Sequence, residues 1–307
     1  MSDFTFDKSV FPLQLATLAN THNVKECRVV FHRLMQLEGL DDTQISKALD
    51  IFDDVHNLYI GKFKGYKSCN TEYHDFRHVI DVTLASLRIA DSLMLKGETF
   101  NKNNIFLVGI AAVFHDTGYI PEITDSVENG AVYTKTHVAR SMVFAEKYMS
   151  ERGYSKDDIE KTKQMILLTD LSVKLADIKF FDAETERFAK ILASADLIGQ
   201  MADRIYLEKL LFLYREFEMG NIPFYSSEAD LLTKTIGFFK MMENRLTNDL
   251  DGVNAHLLLH FQKRYDINED LYRKGMDGNL AYLAKILNEH PDSYRDFLRR
   301  DNIVEKL

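Results

Sequence analysis

The sequence predicts an all-α protein, and three observations carry that expectation. The long segments repeat their apolar residues at threes and fours, no strand-like alternation of useful length occurs, and no internal repeat is visible. The 307 residues suffice for one large domain with a substantial core, and no Pro-, Gly- or Ser-rich linker divides them. The expected organisation is a single helical domain over residues 1–307, with a preface over 1–49, a core over about 50–245 and an extension over about 251–307.

Taken in order, residues 8–20 (Lys8 to Asn20), 23–37 and 41–60 carry apolar residues at helical spacing. In the third, Ile45, Leu49, Phe52, Val55 and Leu58 mark the buried stripe, and Asp41 and Asp42 are helix-start residues. His22, His32 and His56 stand singly here and read as structural. The segment 61–72 has two glycines, Lys62, Lys64, Lys67 and Ser68, but a phosphate loop needs four residues between its glycines and a Lys directly after the second. It reads as a solvated loop whose lysines lie near His74. From Phe76 to Met94 a helix is capped by Asp75, which puts His74 and His78 at its mouth. Ile105 to Phe114 is apolar on every side, so it is a fully buried helix, and it ends at His115-Asp116.

Residues 119–133 read as an irregular loop. A helix from about Lys135 to Arg152 has His137 in its first turn, and another follows Ser155 and closes at Leu168 to Ser172. The segment 182–199 is apolar near its end apart from Asp196. Helices are expected at 202–220, 226–246, 251–262, 267–289 and 291–306. His256 and His260 are four apart, but without a Glu after the first they are packing or surface residues, not a zinc-protease pair. Phe238, Phe239, Met241 and Met242 are core residues on spacing alone.

A net charge of −9 excludes a nucleic-acid groove. Cys27 and Cys69 offer neither a disulfide framework nor a cysteine-rich zinc site, which fits a reducing cytoplasm. No signal sequence or membrane span is present, so a soluble, unprocessed cytoplasmic protein is expected. Against that background His78, His115, Asp116 and Asp196 combine imidazole nitrogen with carboxylate oxygen, the ligand mix suited to Zn²⁺ or another divalent ion. Polar groups at the end of an all-apolar helix must be paired or bound to metal to tolerate burial.

This set resembles the H…HD…D ligands of the HD-domain metal-dependent phosphohydrolases, an all-helical fold. Within that group it is most similar to the catalytic domain of class I 3′,5′-cyclic-nucleotide phosphodiesterases. Tyr73-His74-Asp75-Phe76-Arg77-His78-Val79 resembles the Y-H-N-x-x-H-A signature, Thr169-Asp170-Leu171-Ser172 resembles T-D-M-S, and Ala195-Asp196-Leu197 resembles A-D-L. The resemblance covers roughly residues 50 to 245. It implies that His78, His115, Asp116 and Asp196 hold a first ion, Zn²⁺ or another transition metal, and that Asp116 bridges to a second, Mg²⁺ or Mn²⁺. It also implies that His74 is the general acid, and that a 3′,5′-cyclic nucleotide is hydrolysed to the 5′-monophosphate through a metal-bridging hydroxide.

The departures concern the second ion and the substrate. Tyr119 stands where the related pattern has a second His, and it cannot do that residue's work. His137 is near a downstream histidine segment, where it is either a ligand or partner of the second ion or a structural helix-start residue. Thr235-Ile236-Gly237-Phe238-Phe239 resembles Q-V-G-F-I, with Phe238 kept to stack on the base and Thr235 in place of the amide that grips it. The alternatives are an HD phosphohydrolase of another phosphate ester, such as a nucleoside monophosphate, and a non-catalytic nucleotide-sensing module. A cyclic-dinucleotide enzyme is disfavoured, because Gly118-Tyr119-Ile120 only imitates its motif. The expected partner is a small phosphodiester, with neither nucleic acid nor membrane; a homo-oligomer is compatible with the sequence.

Overall fold

Half of the helix starts among the described residues have a capping side chain of Asp or Ser, and the cap of α4 helps to aim the site. The computed structural model describes residues 13–307. The twelve helices in it are α1 (Leu15–Leu18), α2 (Val24–Leu37), α3 (Asp42–Tyr59), α4 (Phe76–Lys96), α5 (Lys102–Phe114), α6 (His137–Glu151), α7 (Lys156–Leu167), α8 (Ala183–Ala202), α9 (Tyr206–Met219), α10 (Glu228–Asn244), α11 (Leu257–Tyr265) and α12 (Leu271–Glu289). Asp41, Asp75, Ser155, Asp182, Ser227 and Asp270 each accept a hydrogen bond from a backbone N–H of the first turn they cap. Among the described residues there is no strand, only an isolated bridge between Tyr66 and Glu122. The fold is all-α.

The centre is a trio. Helix α4 packs on α5 and α8, and α5 is buried from Asn104 to Phe114, as its all-round apolar sequence requires. Around the trio, α2 lies on α4, α3 on α5, α7 on both α5 and α8, and α6 on α7. Helices α11 and α12 lie on α4 and α8. The residues after 251 therefore share the same apolar core, in which Leu257, Phe261, Leu271 and Leu283 are buried. No helix among the described residues is long and apolar enough to cross a membrane.

Met241, expected in the core, is 57% exposed, and three helix expectations also need correction. The helix over 291–306 does not form: only 3₁₀ turns occur, at Tyr294–Asp296 and Arg300–Lys306, and the second contains Asp301 and Asn302 in left-handed backbone conformation. Side chains hold this segment instead. Tyr282 donates to the Phe297 carbonyl at 2.8 Å, and Arg300 donates to the Asn279 side chain at 3.0 Å. The expected helix over 8–20 is only the single turn α1 within the described residues, and its first part, residues 8–12, lies outside them. The stretch 251–262 is a 3₁₀ turn at Val253–His256 followed by α11.

Candidate metal centre

The cap of α4 is also the first support of the site. Asp75 accepts from the His78 N–H at 3.1 Å, and Lys209 of α9 donates to the same carboxylate oxygen at 3.1 Å. His78 is thereby fixed in the first turn. His115 and Asp116 come from the end of α5, and Asp196 comes from α8, which crosses α4.

Four ligand atoms from these elements converge. His78 Nε2 lies 3.2 Å from His115 Nε2, 3.4 Å from Asp116 Oδ2 and 3.1 Å from Asp196 Oδ1. His115 Nε2 lies 3.4 Å from Asp116 Oδ2 and 3.8 Å from Asp196 Oδ1. Ligands at about 2.0–2.2 Å from one Zn²⁺ in tetrahedral array stand about 3.3–3.6 Å apart, so the separations within His78, His115 and Asp116 suit a single ion, and Asp196 adjoins this group on the side of the two histidines. Asp116 Oδ2 is buried without a hydrogen-bond partner, an arrangement that a bound cation resolves. His115 has the orientation a ligand needs: Nδ1 donates to the Ala112 carbonyl at 2.7 Å, which leaves the Nε2 lone pair facing the cluster.

The electrostatics agree. Burial alone would raise the Asp116 carboxyl, but His115, His74, His78 and His137 around it hold it well below the usual carboxylate range. Burial opposes a charge on His78, yet Asp196 and Asp116 raise it above the ordinary imidazole value. The metal-free cluster concentrates negative charge with no Lys or Arg paired to Asp116 or Asp196 among the ion pairs found.

His137 belongs beside this cluster. Its Nδ1 donates to the Thr134 carbonyl at 2.7 Å and its Nε2 lies 3.6 Å from Asp116 Oδ1, the carboxylate oxygen turned away from the first four ligands. Burial holds its pKa below the ordinary value despite Asp116, so it presents a lone pair. The carboxylate of Asp116 could therefore bridge two ions, with His137 a ligand to the second. Gly118 makes the approach possible, because a Cβ there would stand 1.9 Å from the His137 carbonyl oxygen.

A family model described as Npun_R2479-like matches residues 124–250. The match spans His137 and Asp196 and leaves His74, His78, His115 and Asp116 outside it. No curated protein matches the chain.

His74 stands next to the ligands without joining them. Its Nδ1 is 2.7 Å from Glu216 Oε2 of α9, while Glu216 Oε1 accepts from the Tyr73 N–H at 2.7 Å. A carboxylate only accepts, so the His74 proton facing it is on Nδ1 and Nε2 is directed elsewhere. Tyr73 in turn donates to Gln200 Oε1 at 2.5 Å, and Gln200 Nε2 donates to the Asp196 carbonyl at 3.1 Å. Glu216 and Gln200 carry no sequence signal: each is one polar residue on a helix with several, and only tertiary packing selects it.

His74, His78, Asp116, Asp196 and His137 open into one cavity of about 580 Å³. Its far wall is apolar and aromatic, with Leu213, Phe217, Phe224, Tyr225 and Phe238. Thr235 lines it too, but it is 5% exposed and its hydroxyl donates to the Leu231 carbonyl at 2.9 Å. Two histidines stay apart from the site, as expected: His260 Nδ1 is 2.6 Å from Asp91 and His256 Nε2 is 2.6 Å from Lys96. Lys67 is engaged locally, donating to the Asp125 and Val127 carbonyls.

Proposed function

We propose that this protein is a two-metal phosphodiesterase that hydrolyses a 3′,5′-cyclic nucleotide to the 5′-monophosphate. The observation that carries the reading is the pairing of the buried His78, His115 and Asp116 group, which has Asp196 beside its histidines, with a separate, carboxylate-held imidazole in one cavity. Divalent ions held by His78, His115, Asp116 and Asp196, and by Asp116 with His137, would generate a nucleophile from water near neutral pH and offset charge on phosphoryl oxygens.

The remaining steps fall to the chain itself. Glu216 holds His74 Nδ1 and so leaves Nε2 as the nitrogen that would hand a proton to the ribose oxygen as its bond to phosphorus breaks. An alkoxide leaves poorly without that proton, so a dedicated acid suits a phosphodiester better than an activated ester. Gln200 and Tyr73 brace Asp196 and the His74 backbone segment. The aromatic wall offers stacking to a base, and the apolar lining excludes water around the reacting phosphate.

The test is a panel assay of the metal-replete protein against cyclic mononucleotides, cyclic dinucleotides and nucleoside monophosphates. Turnover of a cyclic mononucleotide supports the proposal. Turnover of monophosphates alone would transfer the function to phosphomonoester hydrolysis, and binding without turnover would make the chain a sensor.

A further inference from the structure

Tyr119 ends the 3₁₀ turn that follows His115-Asp116, and it is 1% exposed. Its ring stacks on His74 with centroids 4.2 Å apart and planes 16° apart, and on His137 at 4.4 Å and 20°. The two imidazoles are 6.1 Å from one another. The three distances place the two imidazole centroids at about a right angle about the Tyr119 centroid, so each imidazole packs against that ring in an offset stack. The hydroxyl is 3.4 Å from His74 Nε2, the nitrogen not engaged by Glu216.

We propose that Tyr119 is a positioning residue whose ring is the shared floor for the His74 and His137 imidazoles and whose hydroxyl sets the rotation of the His74 ring. A buried aromatic face in offset contact restricts a neighbouring ring to one plane. Glu216 alone fixes only one point of His74, and rotation about that hydrogen bond would swing Nε2 out of the cavity. The hydroxyl supplies the second point. The hydroxyl is itself held by the Thr134 side chain, whose own proton goes to the Ala131 carbonyl. On the other side, the floor and the Thr134 carbonyl together aim His137 Nε2 at Asp116. Two glycines preserve the floor's position. A Cβ on Gly118 would collide with the His137 carbonyl, and one on Gly130 would stand 2.0 Å from the Tyr119 carbonyl oxygen. Tyr119 thereby links the acid to the histidine of the second ion, a link made through ring contact.

The kinetic part of this inference rests on the phosphodiesterase reading; the positioning part does not. The experiment compares wild type, Tyr119→Phe and Tyr119→Leu in two measurements: imidazole NMR signals of the metal-free protein, and kcat on an alkyl and an activated aryl phosphodiester. Expected for wild type and Tyr119→Phe are upfield ring-current shifts of His74 and His137 protons, lost in Tyr119→Leu. Tyr119→Phe lowers kcat on the alkyl ester by about tenfold, the scale of one hydrogen bond to a charged group, with little change on the aryl ester. Tyr119→Leu lowers the alkyl rate by about 10²-fold and also weakens binding of the second ion.

Imidazole shifts unchanged in Tyr119→Leu, or equal losses on both esters in Tyr119→Phe, would overturn the inference. If Tyr119→Leu does not fold, Tyr119→Phe decides the hydroxyl's role, and absence of the upfield shifts in wild type would overturn the floor. If wild type turns over no phosphodiester, the functional reading fails and the NMR comparison still decides the positioning role.

Discussion

Two buried clusters join histidine to aspartate in this protein, and they differ in what balances their charge. Around Asp116 stand His74, His78, His115 and His137, and among the described residues no Arg or Lys is paired to the carboxylate and one of its oxygens has no hydrogen-bond partner. Around Asp91, which is almost fully buried, stand His260 at 2.6 Å and Arg264, whose guanidinium reaches both carboxylate oxygens, at 2.6 and 3.1 Å. The second cluster carries its own cation and ties α11 to α4. The first lacks one, opens into a large cavity and has ligand-like spacing. A buried acid with a resident guanidinium is a clamp; a buried acid ringed by imidazole lone pairs is poised for an ion that is not part of the chain.

The sharpest way to break this contrast is to remove one carboxylate from each cluster. Asp196→Ala is expected to abolish metal-dependent turnover and lower bound metal while the protein stays folded, because a methyl group cannot replace an anionic ligand. Asp91→Ala is expected to destabilise the protein by about 3–5 kcal/mol, because it strands Arg264 and His260, and to leave metal stoichiometry unchanged. Denaturant unfolding and elemental analysis of both variants check this; normal metal content in Asp196→Ala removes it from the ligand set.

Next in size is the acid. His74→Ala should keep its metals and lose about 10²–10⁴-fold in kcat on a diester with an alkoxide leaving group, with a much smaller loss on an aryl diester. Equal losses on both would place His74 in folding or metal binding.

How much of this was legible without coordinates follows from where the chemistry is encoded. The candidate ligands could be picked out because His-Asp at the end of an all-apolar helix, and one acid in the apolar end of α8, contradict their surroundings in the sequence itself. The caps Asp41, Asp75 and Ser155 were legible for the same local reason. Glu216 was not, because its role depends on α9 folding back to meet His74 from 142 positions away. The stacking of Tyr119 on His74 and His137 was not legible either, since ring stacking leaves no spacing rule. The terminal helix failed although Leu298 is buried and Ile303, Val304 and Leu307 pack on the core, because the left-handed backbone at Asp301 and Asn302 breaks the segment into short turns.

The pH dependence offers a finer separation of the clusters. Burial keeps His260 below the ordinary imidazole value, aided by Arg88 and Arg264 and only partly opposed by Asp91. A depressed histidine contributes stability above its unfolded pKa of about 6.5 and loses it as pH falls below that value. In metal-free protein His78 has the opposite sign, since its raised pKa adds stability at low pH that is lost as pH rises through it. Thermal unfolding between pH 7 and 5 should therefore show less acid destabilisation in His260→Asn than in wild type, and more in His78→Asn. The reverse order would show that the two clusters have been assigned the wrong way round.

The smallest expected effect is base selectivity. Thr235 donates to its own helix, and Gln200, the one side-chain amide that lines the cavity among the described residues, is engaged at both ends by Tyr73 and Asp196. No free amide reads a purine edge, so cyclic AMP and cyclic GMP should have kcat/KM values within about tenfold, a difference of roughly 1.4 kcal/mol. A preference beyond about a hundredfold would assign base reading to another wall of the cavity.

Metal titration of the chelator-stripped protein, followed by thermal unfolding and ion counting, tests the central claim most directly. With Zn²⁺ or Mn²⁺ present at about a hundred times its dissociation constant, at least one ion should bind per chain and stabilise it by about 2.7 kcal/mol, and His78→Ala should remove most of that gain. No bound ion and an unchanged Tm in the wild type would contradict the metal centre.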